Sequence, residues 1–492
     1  MLFNSFHFLV FFPVVVLCYW LFPKRIKMYW LLAASYYFYM CWNAKYALLM
    51  LFSTAATFIC GRLIHYANTA LTDPHKTRFK KASVAVCLIL NLGILFFFKY
   101  FGFFTQNINR LFEFAGVSFN IPAFDVLLPV GISFYTFQAL GYSIDVYRGT
   151  IPAEKNFFQY ALFVSFFPQL VAGPIERSGN LLGQLAKPKP FNYENMKNGL
   201  LMMGWGLFEK MVIADRLAQL VNTVYGDYQN QSGAALVIAT VFFAVQIYCD
   251  FAGYSDIAIG AAQVMGIRLM QNFKRPYFSK SIAEFWRRWH ISLSSWFKDY
   301  LYFPLGGSRV GKLKTYRNIM IVFLVSGLWH GASWSFIVWG AIHGVYQIIG
   351  NIVRPVSDKL IKNRQNFFVR AFSVIKTFIL VDFAWIFFRA GSMTVAVGVI
   401  RSIFTNFAPY SLLNGGVFEL GLKASDFALA ILSIAVLFTV SLIRRRHSIR
   451  AFIARRNIVI RWAIYFAIIF IILIFGVYGP GYSAAQFIYF QF

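Results

Sequence analysis

Charge is what this chain is short of. Only 13% of its 492 residues are Asp, Glu, Lys or Arg, about half the share usual in soluble domains. A water-soluble globular enzyme is excluded on that ground. Acidic residues are scarcer still, 18 against 46 basic. Cysteine is sparse: Cys18, Cys41, Cys60, Cys87 and Cys249 are scattered without CxxC or paired spacing. That argues against a disulfide scaffold or a zinc site and for small buried hydrophobes. No HExxH or carboxylate cluster suggests a metal. No Lys or Arg precedes Lys24, so the N-terminus lacks the basic flank and small-residue cleavage site of a secretory leader and reads as a retained first span.

What remains is apolar: 59% hydrophobic and 20% aromatic, far too much for disorder. A net charge of +28 on a soluble protein would suggest nucleic acid. Here the cations fall in clusters between apolar runs, at 24–27, 74–81, 268–288, 309–317, 354–370 and 444–456. That is how membrane proteins mark cytoplasmic loops, and no nucleic-acid partner is expected. A helix needs about 20 residues to cross. The sequence predicts an all-α polytopic membrane protein with eleven to thirteen transmembrane or re-entrant helices and both termini outside. The runs at 232–266 and 318–351 exceed one crossing and predict a bent helix or a hairpin. No internal repeat or polar linker divides the chain. It reads as one membrane domain: N-terminal helices over 1–122, a catalytic core over 123–400, and C-terminal helices with an aromatic tail over 401–492.

Several segments carry polar groups where they are costly. In 273–307, Phe285, Trp286, Trp289, Leu293, Trp296, Phe297, Tyr300 and Leu301 recur at helical spacing. They predict an interfacial helix, capped by Ser281 with Glu284 three residues on. An anchoring role explains the stripe but not His290 within it. His330 lies in a second apolar run between Trp329 and Gly331. An ionisable group at membrane depth marks a functional site by default, and a neutral imidazole can act as general base; a histidine bonded to a neighbouring helix is the structural alternative. Gly327 and Gly331 would permit a break and close approach of substrate. His343, thirteen residues on, falls on another helix face. Asp250 and Asp256 need partners, with Arg of 268–288 as candidates, and a structural role is favoured. Glu209, Lys210, Asp215 and Arg216 read as internal charge pairs. Pro168, Gly173 and Pro174 break 166–179 ahead of Glu176 and Arg177, and a broken helix in a membrane protein usually lines a cavity. The chain ends in FIYFQF, residues 487–492, readable as an interfacial aromatic belt.

The motifs EFWRRWHISLSSWFKDYLYFPLGG (284–307) and LVSGLWHGASWSFIVWGAIHG (324–344) resemble those of the membrane-bound O-acyltransferase family. The likeness runs over nearly the whole chain and is strongest to the bacterial branch that O-acetylates alginate and peptidoglycan. The resemblance implies a ring of helices around a tunnel in a bacterial inner membrane, with His330 as the catalytic histidine and His290 as the second histidine of the motif. The FIYFQF end is similar to the aromatic tail of a peptide that serves the related teichoic acid D-alanylation system, which would make Tyr489 an acyl-accepting residue. The expected donor is acetyl-CoA, used as a substrate with no resident cofactor. Lys274, Arg275, Lys280, Arg287 and Arg288 suit its nucleotide phosphates, although a positive-inside anchor explains those charges equally well. An extracytoplasmic SGNH-hydrolase-like acetyltransferase is the implied partner, and a cell-envelope polysaccharide the final acceptor. D-alanyl transfer to teichoic acid and glycan transport are the competing readings.

Overall fold

The computed structural model describes residues 1–122, 128–360, 363, 365–413, 415–444, 448–479 and 488. The described residues are helical and contain no β-strand. They group into two compact units, 1–199 with 261–270, and 200–260 with 271–492.

In the first unit, α1 (Phe6–Leu21), α2 (Lys24–Met40), α3 (Ala44–Ala70) and α4 (His75–Leu95) follow one another. They are joined by turns of two to four residues that carry the chain straight back. Ser5 and Asn43 start α1 and α3 by accepting backbone N–H bonds from Phe8 and Lys45, satisfying donors that a helix start leaves open. A π-helical turn over Phe96–Tyr100 and a helix over Phe101–Phe114 continue α4, and then come α5 (Ile132–Arg148) and the short α6 (Phe157–Ser165). Beyond α6 the chain breaks as Pro168, Gly173 and Pro174 predict. The polar groups freed there are held by protein: Gln138 and Gln169 both donate to the Phe163 carbonyl. Glu176 accepts from Asn180 at 2.7 Å and from the Met270 amide.

In the second unit, the segment 200–226 is helical but wound as a π-helix over Phe208–Ala214, the kind of bulge that often accompanies function. After it comes α7 (Gly233–Val264). The long run at 232–266 is therefore one uninterrupted 32-residue helix and not a hairpin; it contains no proline to turn it. Gly253 of α7 meets Gly206 backbone to backbone, so closely that a Cβ on either would overlap the other's carbonyl. This is small-residue packing of the kind membrane helices use.

The aromatic stripe of 281–301 is not one helix. It forms α8 (Ile282–Trp286), a turn, α9 (Ile291–Phe297) and a π-helical segment over Lys298–Tyr302. The predicted cap is present, with Ser281 Oγ accepting from the Glu284 amide at 3.2 Å. Nor is the stripe interfacial: Phe285, Trp289, Leu293 and Phe297 are buried. The apolar periodicity is real, but it faces protein instead of headgroups. The 318–351 run is a hairpin, of α10 (Lys312–His330) and α11 (Trp334–Leu360). Its arms touch through glycine: Gly327 lies against the Phe336 carbonyl and Gly340 against that of Phe323. The last long helices are α12 (Phe367–Arg389), α13 (Ala424–Ile443) and α14 (Ile458–Phe475).

Among the described residues, seven helices are long and apolar enough to cross a membrane, and Phe6–Leu21 and Met393–Thr405 are shorter apolar ones. Most of the other predicted segments are helical but shorter or interrupted. The protein is an all-α, multi-pass membrane protein.

Candidate active site

His290 and His330 are brought together. Their ring centroids are 6.4 Å apart, although forty residues separate them in sequence. Two breaks in helical structure make this possible. α10 ends at His330, where Gly331 continues in extended backbone. A Cβ at position 331 would overlap the Phe336 ring, so only glycine lets the chain turn there with Phe336 packed beneath it. The expectation that Gly327 and Gly331 open space for a substrate is thus corrected: Phe336 of the same hairpin occupies both positions.

His290 sits in the turn between α8 and α9 with φ at 44°, a conformation uncommon for any residue but glycine. Asn272 holds the backbone on its C-terminal side. Its carbonyl accepts from the Ile291 amide at 2.9 Å. Its side-chain oxygen accepts from Ser292 Oγ at 2.6 Å and the Ser292 amide at 3.3 Å, while its Nδ2 donates to Ser255 on α7 at 3.2 Å. Holding an otherwise costly backbone through several bonds from one side chain is how strain persists at a functional position. Asn272 was not singled out in the sequence. It sits in an ordinary polar loop, and no spacing rule connects it to a histidine eighteen residues later.

The walls are aromatic. Trp329 (4.9 Å), Trp339 (5.0 Å) and Phe388 (5.3 Å) surround the His330 ring, each meeting it edge to face. Phe251 meets His290 edge-on at 4.7 Å. Both histidines are buried, with His290 fully enclosed and His330 5% exposed. Burial pushes the His290 imidazole down to about 3, so it is neutral at physiological pH. A neutral imidazole offers one donor and one acceptor nitrogen, the equipment for taking a proton from a hydroxyl and returning it to a leaving group.

His343 stands apart. It lies behind Trp339, whose ring it meets at 5.0 Å, and its Nδ1 accepts from Trp286 Nε1 at 3.3 Å. One tryptophan thus separates it from His330; the two histidines lie on different arms of the hairpin and not on two faces of one continuous helix.

The basic residues cluster beside the turn that carries His290. The Lys274 amide donates to the Arg288 carbonyl at 2.9 Å, drawing 274–275 against 288. Arg288 pairs with Glu284 at 2.5 Å and donates to the Arg275 carbonyl. Lys274, Lys280 and Arg287 are exposed. Tyr489 lies outside the described residues.

The buried carboxylate of α7 finds a partner other than the one expected. Asp250 pairs with Lys210 at 2.6 Å, not with an arginine of 268–288, and Lys210 also pairs with Asp215 at 2.8 Å. The internal pairing of 209–216 holds for these two; Arg216 instead reaches Asp426 at 3.2 Å.

The family model for the membrane-bound O-acyltransferase family matches residues 20–389. The chain is 37% identical over 440 residues to "Probable alginate O-acetylase AlgI" of Pseudomonas aeruginosa, covering 88% of this chain and 81% of that one. It is 34% identical over 420 residues to the peptidoglycan O-acetyltransferase of Helicobacter pylori, covering 80% and 75%. It is 27% identical over 279 residues to the teichoic acid D-alanyltransferase of Bacillus subtilis, covering 54% and 70%.

Proposed function

The chain belongs to the membrane-bound O-acyltransferase family and is an O-acyltransferase, and from that premise we propose that it passes an acetyl group from a cytoplasmic thioester, acetyl-CoA, towards a cell-envelope polysaccharide outside the bacterial inner membrane. Alginate and peptidoglycan, the polymers named for its relatives, are the acceptor class. The observation that carries this reading is the pair of buried imidazoles, 6.4 Å apart, at two coinciding helix breaks in an aromatic enclosure.

Water is scarce in such an enclosure, and that suits acyl transfer, because the thioester donor escapes hydrolysis there. His330 takes the proton of the accepting hydroxyl as its oxygen attacks the thioester carbonyl. The C–S bond breaks, the ester C–O bond remains, and the imidazolium returns its proton to the departing thiolate. His290 positions or polarises the carbonyl. Lys274, Arg275, Lys280, Arg287 and Arg288 supply positive charge for the donor's phosphates, which cannot enter lipid, at the turn that carries His290.

The first acceptor is Tyr489. A phenol ionises near 10 and a thiol near 8.5, so an aryl ester retains much of the thioester's activation, which an alkyl ester would lose. An SGNH-hydrolase-like partner outside the membrane then takes the acetyl group, regenerates the phenol and esterifies the glycan. Both termini face outward, which puts Tyr489 on the side where the partner works.

D-alanyl transfer is the second reading, favoured by the teichoic acid relatives, though these match only about half the chain. Purified protein given labelled acetyl-CoA should acquire label on Tyr489, and Tyr489→Phe should lose it. Label acquired instead from D-alanyl thioester would replace the substrate assignment. Glycan acetylation undiminished in Tyr489→Phe would end the relay.

A further inference from the structure

The first turn of α2 carries charge of the unfavourable sign. Lys24, Arg25 and Lys27 stand there with no acidic residue among them, although a helix N-terminus is itself partially positive and favours anions. Pro23 precedes them and supplies no side-chain cap. The hydrogen-bond ladder begins with the Ile26 and Lys27 amides, both donating to the Pro23 carbonyl. Among the described residues the Lys24 and Arg25 amides, one turn earlier, have no acceptor, so they are left open as helix starts leave them.

Lys27 adds an independent reason to look for an anion here. It is only 7% exposed, and buried charges are ordinarily paired. Its Nζ instead lies over the rings of Tyr19 and Trp20, 4.6 and 4.5 Å from their centroids. Ring faces attract an ammonium but cancel none of its charge. Among the described residues no carboxylate or carbonyl accepts from this Nζ. Trp20 leaves another donor open, since its Nε1 is buried without an acceptor. Lys189 brings further positive charge: its stem and the Trp20 ring both flank Gly266, each within 4 Å of where a Cβ would sit. Close by in the chain, Leu17, Leu21, Ile26 and Tyr29 are exposed. A small soluble anion gains nothing from such an apolar border. A phospholipid does, because its phosphate can meet the cations while its chains lie on the apolar residues.

We propose that the turn between α1 and α2 is a binding site for the phosphate of an anionic phospholipid. Lys27 is its buried contact, Lys24 and Arg25 are its exposed ones, and the open amides of α2 complete the cradle. Lys27 is held by rings and not by an acid, so its charge stays available to the ligand. A zwitterionic headgroup would carry a cation of its own into this cluster and is disfavoured. The bound lipid ties the end of α1 to the start of α2, and nothing in the site depends on the acyl chemistry.

The full-length protein, stripped of lipid in detergent and given phosphatidylglycerol with a fluorescent tail, tests the site by the anisotropy of the bound label. Unlabelled phosphatidylglycerol should displace the label at least about tenfold more effectively than phosphatidylcholine, and Lys27→Met, which keeps the stem and deletes the charge, should bring the two within about twofold of each other. Equal displacement by the two lipids in the wild type, or a preference indifferent to Lys27→Met, overturns the proposal. If Lys27→Met does not fold, the double variant Lys24→Gln with Arg25→Gln decides, because both side chains are exposed. It should cut the preference about threefold or more, and an unchanged preference overturns the site. Millimolar inorganic phosphate should displace little of the label. Displacement by phosphate as complete as that by phosphatidylglycerol would assign the site to a free anion and end the lipid reading.

Discussion

The second unit buries two polar groups of opposite character. Around His290 and His330 the walls are rings: Phe251, Trp329, Trp339 and Phe388. Around Lys210 the walls are charges and backbone: Asp215, Asp250 and the Ile488 amide. Both lie away from water, yet physics treats them differently. A formal charge in such a place must be paired at once, or the cost of desolvation falls on the fold. An imidazole can be buried neutral and keep its capacity to exchange a proton. The ionic cluster therefore suits holding chain in place, and the aromatic enclosure suits chemistry. Substitution should separate them: the first should fail in folding, the second in turnover.

The largest effect expected is on turnover at His330. His330→Ala should lower acetyl transfer about 10³-fold or more, within the range general acid–base catalysis supplies, with an unchanged elution profile and thermal transition. Transfer reduced less than tenfold would dissolve the contrast from the chemical side. Next comes Lys210→Met, which keeps the stem and deletes the ammonium. Asp215 and Asp250 would both lose the ammonium they pair with, and breaking a buried pair from one side costs about 3–5 kcal/mol. The expected readout is loss of folded protein in thermal unfolding or expression. A folded Lys210→Met enzyme of wild-type stability would dissolve the contrast from the other side.

Much of the first site could be read before any coordinates, and little of the second. His330 stands out in sequence because an ionisable side chain interrupts a long apolar run, and its neighbour glycines announce a break. His290 stands out because it violates an aromatic stripe. The stripe misleads on location: its helical period says only that one side is apolar, and that side could meet lipid or protein. It meets Trp385 and His343. Asn272, which holds the turn at His290, carries no local signature, because its role comes from a contact to α7 and not from spacing. The same applies to Lys210 and Asp250. Each is plainly a charge in need of a partner, but pairing across forty residues depends on how α7 packs on the π-helical turn, where Gly206 meets Gly253. Sequence shows the need and leaves the partner open. Helix starts, by contrast, are local: Asn366 and Asn457 cap α12 and α14 from the position just before each run.

The smallest effect tests whether burial, rather than charge pairing as such, sets the cost. Arg216 lies a turn and a half from Lys210 and also pairs with an acid, Asp426, at 3.2 Å. That carboxylate is 40% exposed, where Asp215 and Asp250 are 3% and 2%. Arg216 keeps two further acceptors whatever happens to Asp426, the Val212 carbonyl at 3.0 Å and the Phe475 carbonyl at 2.9 Å. A pair whose carboxylate is open to solvent contributes about 1 kcal/mol or less, and the buried Arg216 keeps both carbonyl acceptors. Asp426→Asn should therefore shift the unfolding transition by no more than about 1 kcal/mol and leave transfer at the wild-type rate. A loss as deep as that of Lys210→Met would mean that any ion pair along 210–216 is equally critical, and that the distinction drawn between the exposed and the sealed partner has no force.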